Sequence, residues 1–214
     1  MQPNSWSPIR SVSYSQDEIL SWIIQLYIPS GAFELDPTFS QGGFYRSGTI
    51  ARPSLCFDIR PTCDGVREAD CRALPLPDSS IASMMVDLPF LATTGESLKT
   101  PDGNKINRRF SVCASETELN DLYQATLQEA WRVLKPGGVL VMKCQDKVSG
   151  GKQYMMHCSI FEWARDIGFE ALDLFILLAK TRLIANWQRN QKHARKYHCY
   201  FWVFQKPMKR RERH

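Results

Sequence analysis

Long apolar runs are missing from this 214-residue chain, and none approaches the about 18 residues that a membrane-spanning helix needs, so no membrane partner is expected. The N-terminal residues Met1-Gln2-Pro3-Asn4-Ser5-Trp6 lack a basic segment followed by an apolar one, which argues against a secretory signal. No CxxC pair occurs, and the seven cysteines stand singly. An odd count without framework spacing argues against a disulfide scaffold and for reduced thiols, which points to the cytoplasm (or the nucleus in a eukaryotic cell). Cys56, Cys144 and Cys199 lie within apolar, strand-like runs and read as small core residues. His157, His193 and His198 form no ligand spacing with the cysteines, so no metal is expected. Internal repeats and low-complexity segments are absent as well. Acidic residues almost vanish toward the end: residues 181–214 carry ten Lys/Arg and the single acid Glu212, a local +9 in a chain of net +5. A basic end on a mildly acidic body suits a polyanionic partner.

The remaining composition, 43% hydrophobic and 23% charged, is that of an ordinary globular chain long enough for one α/β domain. Ser15-Gln16-Asp17-Glu18 is a capping box, and Ile19, Trp22, Ile23 and Leu26 follow at helical spacing, predicting a helix over about 16–27 after an irregular lead-in, 1–13. Strands are predicted at 32–36, 54–59, 81–87, 138–144, 169–178 and 197–206. Helices are predicted from Ser115 to about Leu134, where Lys135-Pro136-Gly137-Gly138 stops the pattern, and over Tyr154–Ile167, ended by Gly168. Residues 91–114 read as a long polar loop, a length that inside a compact domain marks function or motion. Strands alternating with helices predict a doubly wound α/β sheet.

The tetrapeptide Asp87-Leu88-Pro89-Phe90 closes the apolar run Ile81–Val86. It puts a carboxylate, a kinked backbone and an aromatic face at the end of a buried strand, where open α/β sheets bind ligands. This suits a planar ring bearing an exocyclic amino group. Asp87 accepts one N–H, the Leu88 carbonyl accepts the other, and Phe90 stacks on the ring.

Three further motifs precede it in order. Asp36-Pro37-Thr38-Phe39-Ser40-Gln41-Gly42 follows a strand and forms a glycine-containing turn. Asp58 ends the next strand, 22 residues on. Asp70-Cys71-Arg72-Ala73-Leu74-Pro75-Leu76-Pro77-Asp78 leads into the strand that carries Asp87. Together with Glu129–Leu140, a helix–turn–strand signature, these resemble the class I S-adenosylmethionine-dependent methyltransferases, specifically the amino-methylating DNA methyltransferases that make N6-methyladenine or N4-methylcytosine. The resemblance covers roughly residues 30–206, leaving 1–29 as a lead-in and helix and 207–214 as a basic tail. It implies a Rossmann-like, mostly parallel sheet with an antiparallel last strand. Two departures stand out: Ser40 replaces the first glycine of the family's Asp-Pro-Phe-x-Gly-Ser-Gly loop, and Leu88 replaces the first proline of its Asp-Pro-Pro-aromatic motif.

On the same footing, the resemblance implies S-adenosyl-L-methionine as cofactor. Asp36, Pro37, Thr38, Ser40 and Gly42 would shape the turn around its methionine part, Asp58 would accept from its ribose, and Asp70, with Cys71 beside it, would meet its adenine. Asp87, Leu88, Pro89 and Phe90 would take the target base. Methylation at cytosine C5 requires a cysteine nucleophile, usually in a Pro-Cys pair, and the chain has none. Arg108 and Arg109 in the long loop, and Arg189, Lys192, Arg195 and Lys196 in the basic stretch 182–196, are expected to contact nucleic acid, with DNA favoured over RNA. Two other readings stay open: the same chemistry on RNA, and a non-catalytic methyltransferase-fold subunit that binds nucleic acid.

Overall fold

The computed structural model describes residues 8–92, 113, 115–149, 151–181 and 192–208. In chain order the elements are β1 (Val12–Ser13), α1 (Gln16–Tyr27), β2 (Leu35–Asp36), β3 (Leu55–Asp58), β4 (Arg67–Glu68), β5 (Ile81–Asp87), α2 (Glu116–Val133), β6 (Leu134–Cys144), β7 (Lys147–Ser149), β8 (Lys152–Tyr154), α3 (Met156–Ile167), β9 (Glu170–Leu178) and β10 (His198–Gln205). Eight strands form one sheet in the order β1-β9-β10-β6-β5-β2-β3-β4, while β7 and β8 form a separate hairpin. β5, β6, β2, β3 and β4 run parallel, and β10 is antiparallel to both β6 and β9. The expected mostly parallel sheet with an antiparallel last strand is therefore present.

Alternation along the central strands divides the core between the two faces of the sheet. Met84 and Val86 of β5, and Leu140, Met142 and Cys144 of β6, pack with Leu119, Tyr123, Leu127, Ala130 and Ile160 of α2 and α3. Met85, Val139 and Val141 face the other way, toward Ile19, Leu20 and Ile23 of α1 and Phe175, Phe201 and Val203 of the last strands. No helix covers the crossover between the parallel strands β2 and β3; residues 37–54 cross that face in turns and bury Phe39, Phe44, Tyr45 and Ile50 there instead.

Both capped helices start where their sequences say. The Ser15 hydroxyl accepts from the Glu18 N–H at 3.3 Å, and that of Ser115 accepts from the Glu118 N–H at 3.0 Å. α3 ends at Gly168, whose φ of +119° is left-handed and whose Cβ, if present, would lie 2.9 Å from the Trp131 ring.

The structure differs from expectation at several ends. The buried face of α1 is Ile19, Leu20 and Ile23, and Leu26 is exposed. The lead-in contributes β1, because Val12 and Ser13 pair with Ile176 and Leu177. β2 keeps only Leu35 and Asp36 of the predicted five residues. The helix predicted to start at Tyr154 starts at Met156 instead, because Lys152–Tyr154 pairs with Lys147–Ser149. β6 begins already at Leu134, which pairs with Ile81.

Candidate active site

Asp87, Lys143 and Phe201 stand in one row across three neighbouring strands. Asp87 on β5 is in register with Lys143 on β6, and Lys143 with Phe201 on β10. The alternation that buries Met85 of β5 and Val139 and Val141 of β6 on the α1 face carries Asp87 and Lys143 onto it as well. The row lies at the carboxyl ends of the parallel strands, where this class of sheet binds ligands.

The Lys143 ammonium lies 3.1 Å from Asp87 Oδ2, and its side chain is only 14% exposed. It also lies 5.0 Å from the Phe44 ring centroid, 5.7 Å from that of Phe90 and 5.8 Å from that of Phe201. Three aromatic faces and one carboxylate thus surround it, which offsets part of the cost of removing the charge from water. Asp87 Oδ1 is buried and has no hydrogen-bond partner among the described residues. Burial raises the proton affinity of Asp87, and the Lys143 charge and hydrogen bond pull it back down.

Asp36, at the end of β2, is coupled to Asp87 through one hydroxyl. Asp36 Oδ1 accepts from the Thr38 N–H at 2.9 Å and the Thr38 hydroxyl at 3.2 Å, while that hydroxyl accepts from the Asp87 N–H at 2.9 Å. The Tyr45 hydroxyl donates to Asp36 Oδ2 at 2.8 Å. Asp36 is 1% exposed. Burial pushes its carboxyl up to about 7 against the downward pull of the Thr38 and Tyr45 hydrogen bonds. Pro37 is buried beside it.

The turn after Asp36 is tight for identifiable reasons. Ser40 (φ +51°) and Gly42 (φ +65°) are both left-handed, a conformation that favours glycine and that Ser40 adopts at a cost. A Cβ on Gly42 would lie 2.7 Å from Phe39 Cζ. The Ser40 N–H donates to Asp58 Oδ2 at 2.8 Å, and the Arg60 N–H donates to Asp58 Oδ1 at 2.8 Å. A carboxylate has about four acceptor sites, so half-buried Asp58 retains capacity for ribose hydroxyls. Asp70 is more fully engaged. Arg72 grips both of its oxygens, with Nη2 2.5 Å from Oδ2, and this pairing holds its pKa below the usual carboxylate value. Cys71 Sγ lies 3.4 Å from the Thr126 hydroxyl, and burial raises the thiol's pKa. The loop and Asp58 suit a nucleoside-bearing cofactor; Asp70 could meet its adenine only if Arg72 yields.

In the rest of the tetrapeptide, the Leu88 side chain is buried in the core cluster to which α2 contributes, and the Tyr123 hydroxyl donates to the Pro89 carbonyl at 3.2 Å. Both contacts hold the turn that presents Phe90, which is half-buried. Of the residues expected to contact nucleic acid, Arg108, Arg109 and Arg189 lie outside the described residues. Lys192 is exposed, and Arg195 and Lys196 are half-buried. Leu178 and His198, which flank the basic stretch, pair with each other at the same edge of the sheet as Asp87.

Sequence reasoning missed Lys143, Tyr45 and Phe44. A signal for Lys143 existed: it is the one charge in the apolar run Val139–Cys144. Tyr45 and Phe44 carried none, since nothing in a turn-rich segment marks which aromatic reaches a carboxylate. Among the described residues, no group of three or more His, Cys, Asp or Glu is placed to hold a metal ion, and no helix is long and apolar enough to cross a membrane.

No protein-family profile and no curated protein sequence matches the chain. Solved structures do. The [4+2]-cyclase SpnF is similar with a TM-score of 0.52 at 15% identity, over 90% of this chain and 82% of that one. A candidate methyltransferase from Bacillus halodurans gives a TM-score of 0.50 at 12% identity, over 88% of this chain and 99% of that one. A candidate DNA modification methylase from Thermus thermophilus, complexed with S-adenosyl-L-methionine, gives 0.46 at 22% identity, over 68% of this chain and 56% of that one. The chain matches a little over half the length of that protein. Such identities speak to fold, and a cyclase among the similar structures shows that this fold does not dictate one reaction. With its strand order and its antiparallel last strand, the protein has the Rossmann-like fold of the class I methyltransferase type.

Proposed function

We propose that this protein is an S-adenosylmethionine-dependent methyltransferase that methylates the exocyclic amino group of a nucleic-acid base, with DNA favoured over RNA. The observation that carries the reading is the Asp87 carboxylate. It sits at the carboxyl end of β5 with one buried oxygen unpartnered among the described residues and the other on the Lys143 ammonium that faces the ring of Phe90, while the Asp87 backbone N–H is tied through the Thr38 hydroxyl to Asp36 in the glycine turn.

In this reading Ser40, Gly42 and Asp58 hold the cofactor, with Asp70 near its adenine once Arg72 is displaced; when bound, it supplies an electrophilic methyl on a sulfonium. An exocyclic amine is a weak nucleophile because its lone pair is delocalised into the ring. Asp87 and the Leu88 carbonyl accept its two N–H bonds and draw the lone pair out of conjugation. Phe90 stacks on the ring, a contact worth roughly 1–3 kcal/mol that offsets the cost of extruding a base from a duplex. Transfer leaves a proton to be shed, and Asp87, whose proton affinity burial raises, is the base within reach. Positioning and fixed charges do the remaining work. The basic stretch before β10, which opens on the same edge, supplies phosphate contacts through Lys192, Arg195 and Lys196.

Calorimetric titration of S-adenosylmethionine into the pure protein tests the cofactor; no binding up to millimolar concentration would sink the enzyme reading and leave the non-catalytic one. Digestion of host DNA and RNA to nucleosides, followed by mass spectrometry, identifies the product. It is expected to be N6-methyladenosine or N4-methylcytidine, as the deoxynucleoside for a DNA substrate, and to disappear in Asp87→Ala.

A further inference from the structure

We propose that Asp87 and Lys143 act as a paired acceptor and donor that reads an amino group together with the unprotonated ring nitrogen beside it on the Watson–Crick edge, a pattern that adenine and cytosine carry on that edge and guanine does not. The inference rests on the base-methylation reading above and assigns Lys143 a direct contact with the base.

Asp87 Oδ2 and Lys143 Nζ lie 3.1 Å apart in one row of the sheet. An ammonium has three N–H donors. Among the described residues, that of Lys143 makes one hydrogen bond, to Asp87, and otherwise faces the rings of Phe44, Phe90 and Phe201. A carboxylate has more acceptor sites than one ammonium fills, and Asp87 Oδ1 has no partner among the described residues. The pair therefore presents an acceptor next to a donor, at a desolvated position beside the aromatic face of Phe90.

The Watson–Crick edges of adenine and cytosine carry the complementary pattern: an amino donor separated by one carbon from a ring nitrogen that accepts. Guanine carries a donor, N1–H, beside its amino group on that edge, and this hydrogen would point at the Lys143 ammonium. An extruded base is read by hydrogen bonds to its Watson–Crick edge. Register sets the pairing: the two side chains project from adjacent, paired positions of neighbouring strands, so moving the donor away leaves a mostly buried carboxylate without its partner. A Lys143 that only balanced the charge of Asp87 would be indifferent to the ring nitrogen.

The test uses synthetic single-stranded DNA with one adenine or cytosine in flanks randomised over guanine and thymine, and counterparts in which the ring nitrogen beside the amine is replaced by C–H (1-deazaadenine, 3-deazacytosine). Labelled methyl transfer gives kcat/KM for each. The wild-type chain is expected to prefer the natural base by about tenfold or more, the worth of one good base contact. Lys143→Met should lose most of that preference, and Lys143→Arg, which keeps a donor, should retain it. Because preferences are compared between variants, the altered reactivity of the deaza bases cancels. An unchanged preference in Lys143→Met overturns the inference and leaves the function standing, as does methylated guanine as the product. Transfer to none of the bases overturns the function and the inference with it.

Discussion

Thr38 and Asp87 are joined across the sheet by a 2.9 Å hydrogen bond, from the backbone N–H at the end of β5 to the hydroxyl in the turn after β2. The same hydroxyl donates to Asp36. One side chain thus connects the turn proposed to hold the cofactor with the backbone of the residue whose carboxylate is proposed to hold the target.

Thr38→Val keeps the shape of the residue and removes the hydroxyl, leaving the Asp87 N–H unpaired. It is expected to destabilise the fold by about 1–3 kcal/mol, and Thr38→Ser by much less. Urea unfolding midpoints decide it; equal stability of Thr38→Val and the parent would contradict the bridge.

Asp36 gives a pH signature. Its pKa is raised from 3.8 to about 7 in the folded chain, mainly by burial. The folded state therefore binds more protons than the unfolded one between these values, and this group's contribution to stability is fully present below about pH 4 and falls as pH rises through about 7. Asn does not titrate. The stability of the parent relative to Asp36→Asn should drop between pH 4 and 8, by up to about 4 kcal/mol. A difference that stays flat across that range, measured by denaturant titration, would rule out a raised Asp36.

The turn itself makes opposite predictions for two neighbours. Ser40 bears the cost of a left-handed backbone, so Ser40→Gly is expected to be neutral or to stabilise by up to about 1 kcal/mol. Gly42→Ala would add a Cβ 2.7 Å from Phe39 Cζ at a φ of +65° and should cost about 1–3 kcal/mol, with weaker S-adenosylmethionine binding by calorimetry. Tolerance of Gly42→Ala on both measures would show that the turn is looser than described.

Phe90→Leu keeps an apolar side chain and removes the stacking face. It is expected to raise the KM for an oligonucleotide by about tenfold while cofactor affinity stays unchanged. Loss of cofactor binding in this variant would move Phe90 out of the base site.

Local patterns carried the elements well wherever the signal was local. Ile81–Asp87 reads as a strand because its apolar run ends at a turn, and the structure gives the same seven residues. Ser15 and Ser115 mark helix starts because a cap acts within one turn. The two-residue strands β1 and β4 were illegible, since pairs such as Val12–Ser13 and Arg67–Glu68 exist only by virtue of the strand beside them. Leu26 misled for the same reason: its spacing suits a buried stripe, but the sheet meets α1 along Ile19, Leu20 and Ile23. At the site, Asp36, Asp58 and Asp87 could be named because each ends a strand, yet their partners could not.

By itself the sequence determined the alternation of strands and helices, the order of the motifs and the presence of a carboxylate and an aromatic ring at the end of a buried strand. Those follow from apolar periodicity and turn chemistry, which act over a few residues. Only the tertiary structure decided that Lys143, 56 residues from Asp87, stands against it among three phenyl rings. It likewise decided that Thr38 links the turn after β2 to the end of β5. The register between β5 and β6 makes the first of these contacts, and register is a property of paired strands, which neither strand's sequence contains alone.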